Sequence, residues 1–163
     1  MKTTKPSYYE IQRGDILLST DPNKLDFDII YQYLCYESYW SAGIPKSVVE
    51  KAANGSTCFG LYHNDQQIGY TRLISDGATF GYLADVFILE AYRGQGLGQW
   101  LIASILACPS CQGFRRWVLA TRDAHSLYEK FGFNPLLRPE VYMEKINFRK
   151  YPITEDQKEA KLS

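Results

Sequence analysis

Residues 91–101 read AYRGQGLGQWL, and this stretch carries the plainest chemical signal in the chain. Gly94, Gly96 and Gly98 stand at every second position directly after Arg93, and an amphipathic pattern follows. Glycine reaches positive φ at little cost and lets a backbone approach a ligand closely. The first N–H groups of a helix have no intrahelical partners, and the helix dipole backs them with partial positive charge. Arg93 would add a fixed cation with forked donors. A strand, then Arg-Gly-x-Gly-x-Gly, then a helix therefore predicts a cradle for phosphate.

The spacing narrows the ligand. A P-loop needs Gly-Lys-Ser or Gly-Lys-Thr for the terminal phosphates and magnesium, but Gln99-Trp100 follows Gly98. A dinucleotide turn needs G-x-G-x-x-G, and Gln99 stands where its third glycine belongs. The remaining alternative is a glycine-rich loop that holds nothing. A second candidate motif, CPSC at Cys108–Cys111, lacks the further Cys or His pair of a zinc site. It also lies where a helix stops, not where one opens after a strand. Plain reduced thiols are expected there, and no metal site.

The elements that must position this loop follow from periodicity. YYEIQRGDILLST (8–20) reads as a strand with a turn or bulge at Gly14, and Thr20 or Asp21 with Pro22 reads as a helix start. Leu25, Ile29 and Tyr33 give that helix an apolar face. Residues 44–55 predict a second short helix ending at Gly55. Strands are expected at 56–63, 66–75 and 79–89, the first two joined by a tight turn at NDQ. A helix over 97–107 follows from Leu97, Leu101 and Ile105 with Ile102 and Leu106, and Pro109 marks its end. A strand at 115–121 and a short helix at 123–131 come next, the helix capped by Asp123 and closed by Gly132. A last strand is expected at 141–148, and the charged tail from about residue 152 should fray. The order β-α-α-β-β-β-α-β-α-β predicts a mixed α/β fold in one domain spanning residues 1–163.

Composition excludes several classes. Lys plus Arg and Asp plus Glu both number 18, so the net charge is zero, which argues against a nucleic-acid partner held by bulk electrostatics. The apolar runs are too short for a membrane span, and the first residues lack an apolar leader core. A cytoplasmic protein without a membrane partner is expected. Thirteen tyrosines, several of them in YQYLCYESYW (31–40), exceed the needs of a small core.

The glycine stretch resembles the acetyl-CoA loop of the GNAT family of N-acetyltransferases, through Arg93, Gly96 and Gly98. A second signature of that family appears as AHSLYEKFGF (124–133), in the right order with one strand between the two motifs. The resemblance covers at least residues 56–148. It implies a central, mostly antiparallel sheet of about six to seven strands with splayed central strands, flanked by about four helices. It further implies transfer of an acetyl group from acetyl-CoA to an amine of a small molecule or peptide, by direct attack. An acyl-CoA-binding sensor or interaction module without turnover is the alternative.

Residue by residue, the resemblance places the CoA pyrophosphate on Arg93, Gly94, Gln95, Gly96, Leu97 and Gly98, with Ser126 touching it from the short helix. The pantetheine arm would run along Val86, Phe87 and Ile88 like an added strand. Tyr128 matches the tyrosine that protonates the leaving thiolate. A phenol near ~10 holds its proton at neutral pH, and a thiolate near ~8.5 can take it. Asp85, a carboxylate in an apolar strand, is the candidate base. Its alternative is a structural ion pair, and His125 is the runner-up. Thr121 stands where many relatives carry an Asn. Tyr36, Tyr39, Trp40, Phe80 and Tyr82 would line the acceptor site, their faces suited to an amine by cation–π contact or to an aromatic acceptor. They serve equally well as core aromatics. Arg72 and Arg116 are candidates to meet a carboxylate. Exposed aromatics in this class often serve dimers, which leaves a homodimer open.

Overall fold

The computed structural model describes residues 7–160 and 162. The backbone divides into two compact units, each assembled from separate stretches of chain. One comprises the residues up to Asp26 together with Ala52–Ala120; the other comprises Phe27–Lys51 and the chain from Thr121 onward.

The first unit carries the sheet. Its strands are β1 (Glu10–Arg13), β2 (Ile16–Ser19), β3 (Thr57–His63), β4 (Gln66–Ser75), β5 (Phe80–Ile88) and β6 (Arg116–Leu119). They lie side by side in chain order, antiparallel except for the β5–β6 pair. The strand predicted at 8–20 is in fact a hairpin, with Glu10 facing Ser19 and Gly14 turning at φ +58°. Between β3 and β4 both Asn64 and Asp65 adopt left-handed φ, at 48° and 64°. That is the backbone of a type I′ hairpin, which short polar side chains tolerate.

The parallel β5–β6 pair needs a crossover, and α3 (Leu97–Ala107) supplies it. This helix buries Leu97, Leu101, Ile102 and Ile105, the spacing that predicted it. Tyr9 donates its hydroxyl to the Ser104 carbonyl at 3.1 Å, tying the chain just before β1 to α3. Cys108 turns extended before Pro109 and ends the helix. The core of this unit includes Leu18, Phe59, Leu61, Ile68 and Tyr70, all 1% exposed or less. All four cysteines are free and buried. Burial, then the neighbouring Cys108 sulfur, pushes the Cys111 thiol up to about 12, which keeps it protonated at neutral pH.

The second unit holds α1 (Phe27–Gln32), α4 (His125–Glu129) and α5 (Glu155–Ala160), while α2 (Lys46–Asn54) spans the sequence boundary between the units. The helix predicted from Thr20 or Asp21 breaks in two. Asp21 caps only a 3-10 turn at Pro22–Lys24, accepting from Asn23 N–H at 2.9 Å. The Asp26 amide then donates to the buried Gln67 side chain at 2.7 Å, so helical pairing restarts at Phe27. A five-residue π segment, Tyr33–Glu37, follows α1 and closes with Ser38 N–H on the Tyr33 carbonyl.

Two further expectations fail near the end of the chain. The predicted strand at 141–148 does not form: after a 3-10 turn at Pro139–Val141 the backbone is irregular, and Met143 is 98% exposed. Alternation of apolar residues makes a strand only where a partner edge accepts its hydrogen bonds. The tail expected to fray forms α5, anchored by Gln157. That buried amide donates toward the Gly43 carbonyl at 3.3 Å and the Cys35 sulfur at 3.4 Å. Among the described residues no helix is long and apolar enough to cross a membrane.

Candidate functional site

The glycine loop leaves β5 through a 3-10 turn at Glu90–Tyr92 and enters α3. Gly94 and Gly96 adopt φ of +76° and +75°. A Cβ on Gly94 would meet nothing within 4 Å, and one on Gly96 would meet only the Arg13 guanidinium at 3.9 Å. The need for glycine is thus set by backbone conformation and not by crowding. Gly96 is the N-cap and offers no side chain to the helix start. The first helical hydrogen bond runs from Trp100 N–H to the Gly96 carbonyl at 3.1 Å. The N–H groups of Leu97, Gly98 and Gln99 precede it and have no place in the helical ladder.

Two arginines flank the cradle. Arg93 turns back and donates from Nε to the Ile88 carbonyl at 3.0 Å, which fixes its side chain beside the loop. Arg13, at the end of β1, directs Nη1 toward the Gly96 carbonyl at 3.5 Å. Arg13 was missed in the sequence because its approach depends on pairing across the sheet; its position beside the Gly14 turn was the single local hint.

Strand β5 changes character midway. Ala84 pairs with Arg72 and Phe87 with Tyr70, so β5 carries one extra residue there. Asp85 takes up the excess at φ +57°, a bulge conformation that Asp tolerates better than most residues. Strand β6 pairs only with Phe80–Leu83, and Ala84–Ile88 run on past its end. β5 thus outruns β6, and Val86, Phe87 and Ile88 lie on the portion beyond the paired residues. Phe87 itself is buried against the Tyr70 ring.

The bulge delivers Asp85 to Arg72. Arg72 Nε donates to Asp85 Oδ2 at 2.5 Å, with the two side chains 19% and 9% exposed. Arg72 Nη1 also reaches Ser56 Oγ at 3.4 Å. Arg72 is thus committed to an internal carboxylate and does not present itself to a ligand; Arg116 is exposed on β6. Nearby, Cys58 and Tyr70 share a thiol–phenol hydrogen bond at 3.3 Å, and burial raises both groups above their ordinary range. Phe80 is 38% exposed at the start of β5, and Tyr82 is half-buried on the same strand.

The second unit holds the other candidates. Tyr128 is buried on α4, its ring edge-on to Phe133. Burial first, then the Tyr39 phenol and the Asp123 carboxylate, push its pKa up to about 12. A group so shifted holds its proton throughout the neutral range. The predicted Asp123 cap does not form: Ala124 is the N-cap and no side chain caps the helix, while the Ala124 amide itself donates to Thr121 Oγ1 at 3.1 Å. His125 and Ser126 are exposed on the first turn of α4. Tyr36, in the π segment, sits edge-on to Tyr31 with the two hydroxyls 3.4 Å apart.

Tyr39 and Trp40 follow directly on the π segment and pack edge-to-face at 5.0 Å. They are 41% and 40% exposed. The Tyr39 ring carries the Arg122 guanidinium 3.9 Å from its centroid, while its hydroxyl accepts the Arg122 amide N–H at 2.8 Å. Arg122 was the second residue overlooked in the sequence. It has no periodic neighbour, and its partner lies 83 residues away.

Comparison with known proteins agrees with this geometry. The family model described as an acetyltransferase (GNAT) domain matches residues 54–135, the stretch from β3 through the end of the second motif. A Gibberella zeae protein provisionally designated an acetyltransferase is 36% identical over 149 residues, spanning 78% of this chain and 82% of its own. A Xanthomonas campestris pv. campestris crystal structure, assigned provisionally to the GNAT acetyltransferases, is 42% identical at a TM-score of 0.79. It covers 80% of this chain and 92% of its own. An Elizabethkingia anophelis GNAT acetyltransferase, described with acetyl-CoA bound, is only 16% identical at a TM-score of 0.55, over 82% of this chain and 89% of its own. It shows likeness of fold alone. The matched family domain and the two similar proteins, 36% and 42% identical over most of the chain, make this chain a member of the GNAT acetyltransferase family.

Proposed function

We propose that the chain is a single acetyltransferase domain that moves an acetyl group from acetyl-CoA to a small-molecule amine by direct attack. The left-handed Gly96 cap, with three ladder-free amides after it and Arg13 and Arg93 beside it, carries this reading. Backbone donors, the helix dipole and two guanidinium groups suit a pyrophosphate. In this reading Arg93, Gly94, Gln95, Gly96, Leu97 and Gly98 hold the phosphates, with Ser126 as a further contact. The β5 segment Val86–Ile88 takes the pantetheine arm along its edge.

Bound there, acetyl-CoA supplies an activated thioester. Tyr128 donates its phenolic proton to the leaving sulfur; with its pKa pushed up to about 12 the phenol is protonated at neutral pH, and proton transfer to the thiolate relies on positioning and not on acid strength. Asp85 is the proposed acceptor of the amine proton, its carboxylate oriented by Arg72. Asp85→Asn tests that role. A rate loss of about a hundredfold or more, with the circular dichroism and melting curve retained, supports it. An unchanged rate leaves Asp85 as the structural partner of Arg72. Tyr36, Tyr39, Trp40, Phe80 and Tyr82 are proposed around the acceptor.

The decisive experiment is calorimetric titration with acetyl-CoA, CoA and NADH. Micromolar binding of both CoA species and none of NADH is expected, followed by amine-dependent thiol release. Failure of acetyl-CoA to bind overturns the reading. Binding without thiol release across a broad amine panel would make the protein an acyl-CoA sensor.

A further inference from the structure

We infer that the acceptor amine also bears a carboxylate, and that Arg122 is the residue that receives it. This rests on the acetyltransferase reading above and names its substrate class. The sequence suits the aromatic wall to an amine by cation–π contact or to an aromatic acceptor. The structure gives the face of Tyr39 to a guanidinium of the protein itself, 3.9 Å from the ring centroid. A second cation at that face would meet like charge, so the wall disfavours polycationic acceptors.

The same arrangement builds an anion receptor. The Tyr39 ring and the Arg122 amide-to-phenol bond hold Arg122 from both ends, main chain and side chain. A guanidinium fixed in its plane loses less freedom when it receives a planar carboxylate. Arg122 is exposed, and among the described residues no carboxylate forms an ion pair with it. By contrast Arg72, one of the two cations, with Arg116, that the sequence offers for a carboxylate, is already paired. Arg122 stands in the same unit as Tyr128, whose phenol feels the Tyr39 hydroxyl electrostatically. The neighbouring Asp123 also acts on Tyr128 and is a charge opposed to an anionic substrate. Trp40, edge-on to Tyr39, supplies an apolar surface for the body of the substrate.

The test compares matched amines whose carboxylate is kept or blocked as an amide. The pairs are 3-(aminomethyl)benzoate with 3-(aminomethyl)benzamide, 4-aminobutanoate with 4-aminobutanamide, and phenylalanine with phenylalaninamide. In the wild type at least one acid should show a KM roughly tenfold below its amide, the scale of one charge-assisted hydrogen bond. Arg122→Gln should abolish that preference by raising the acid's KM to that of its amide, with the acetyl-CoA affinity unchanged. Arg122→Glu should reverse it, and Arg122→Lys should restore part of it. Equal KM values for acid and amide in all three pairs overturn the proposal, as does a preference that survives in Arg122→Gln. Calorimetry with each acid in the presence of CoA reads the same contact without turnover. If acetyl-CoA itself fails to bind, the acetyltransferase reading falls. The Arg122 contact is then judged by that calorimetry without CoA, and the absence of any difference between wild type and Arg122→Gln rejects it.

Discussion

Tyr128 shows what a single residue gains from its surroundings. A free phenol titrates near 10; burial on α4 pushes that of Tyr128 up to about 12. Replacing Tyr128 with Phe should lower kcat by about a hundredfold to ten-thousandfold while acetyl-CoA affinity stays within about twofold, a split that marks loss of a transition-state contact. Steady-state kinetics beside calorimetry checks it, and an unchanged kcat would remove Tyr128 from the chemistry. Gly96 offers a complementary test, since its φ of +75° is a conformation other residues adopt at a cost of roughly 1–2 kcal/mol. Gly96→Ala should weaken CoA binding by about tenfold or more with little change in far-ultraviolet circular dichroism. Full affinity in that variant would show that the loop does not hold the phosphates. The candidates Gly94, Gly96 and Tyr128 were legible because motif and chemistry coincide in consecutive residues. Asp85 was legible as an oddity, but its partner Arg72 was not, because the pairing is made across two strands.

At the scale of elements, local pattern succeeded where an element is decided by its own residues. Helix α3 runs from Leu97 to Ala107 as its four-residue apolar spacing requires. Ile102 on that helix is fully buried, so Ile102→Ala should cost about 2–5 kcal/mol in a urea unfolding series. The β3–β4 turn gives the opposite sign. Asp65 holds φ +64°, so Asp65→Gly relieves a left-handed residue and should raise the unfolding midpoint. A lower midpoint would mean that the Asp65 side chain makes a contact worth more than the strain. Pattern failed where an element depends on a distant partner. The 20–34 helix is broken because Gln67 captures the Asp26 amide. The 141–148 segment has the alternation of a strand but enters no strand pairing. The tail is ordered by Gln157, a polar side chain that no hydrophobic count would select.

Across the whole molecule, buried acids that hold their protons make stability depend on alkaline pH. Tyr128 and Cys111 are both raised to about 12 from ordinary values of 10.0 and 9.0, and burial also raises Tyr62, Tyr70 and Cys58. In each case the folded chain keeps a proton that the unfolded chain releases. Their contribution is therefore complete below about pH 9 and is lost progressively as pH rises toward 12. Urea midpoints measured from pH 8 upward should hold steady and then fall, and Cys111→Ala should flatten part of that fall. A profile that stays level to pH 11 would contradict the burial of these groups. The Tyr62 hydroxyl is the one buried side-chain oxygen or nitrogen among the described residues without a hydrogen-bond partner, so Tyr62→Phe should be neutral or stabilising.

By itself the sequence determined what depends on neighbours within about a turn of helix or a hairpin. That covers the β3–β4 hairpin, α3, the glycine cradle and the short α4 helix, because backbone propensity and apolar spacing act over a few residues. The tertiary structure decided whatever needed residues far apart in sequence. It bulged β5 at Asp85, bound that carboxylate to Arg72, brought Arg13 to Gly96 and stacked Arg122 on Tyr39. Such contacts are set by strand register and by side chains meeting across tens of residues, and no local pattern records either.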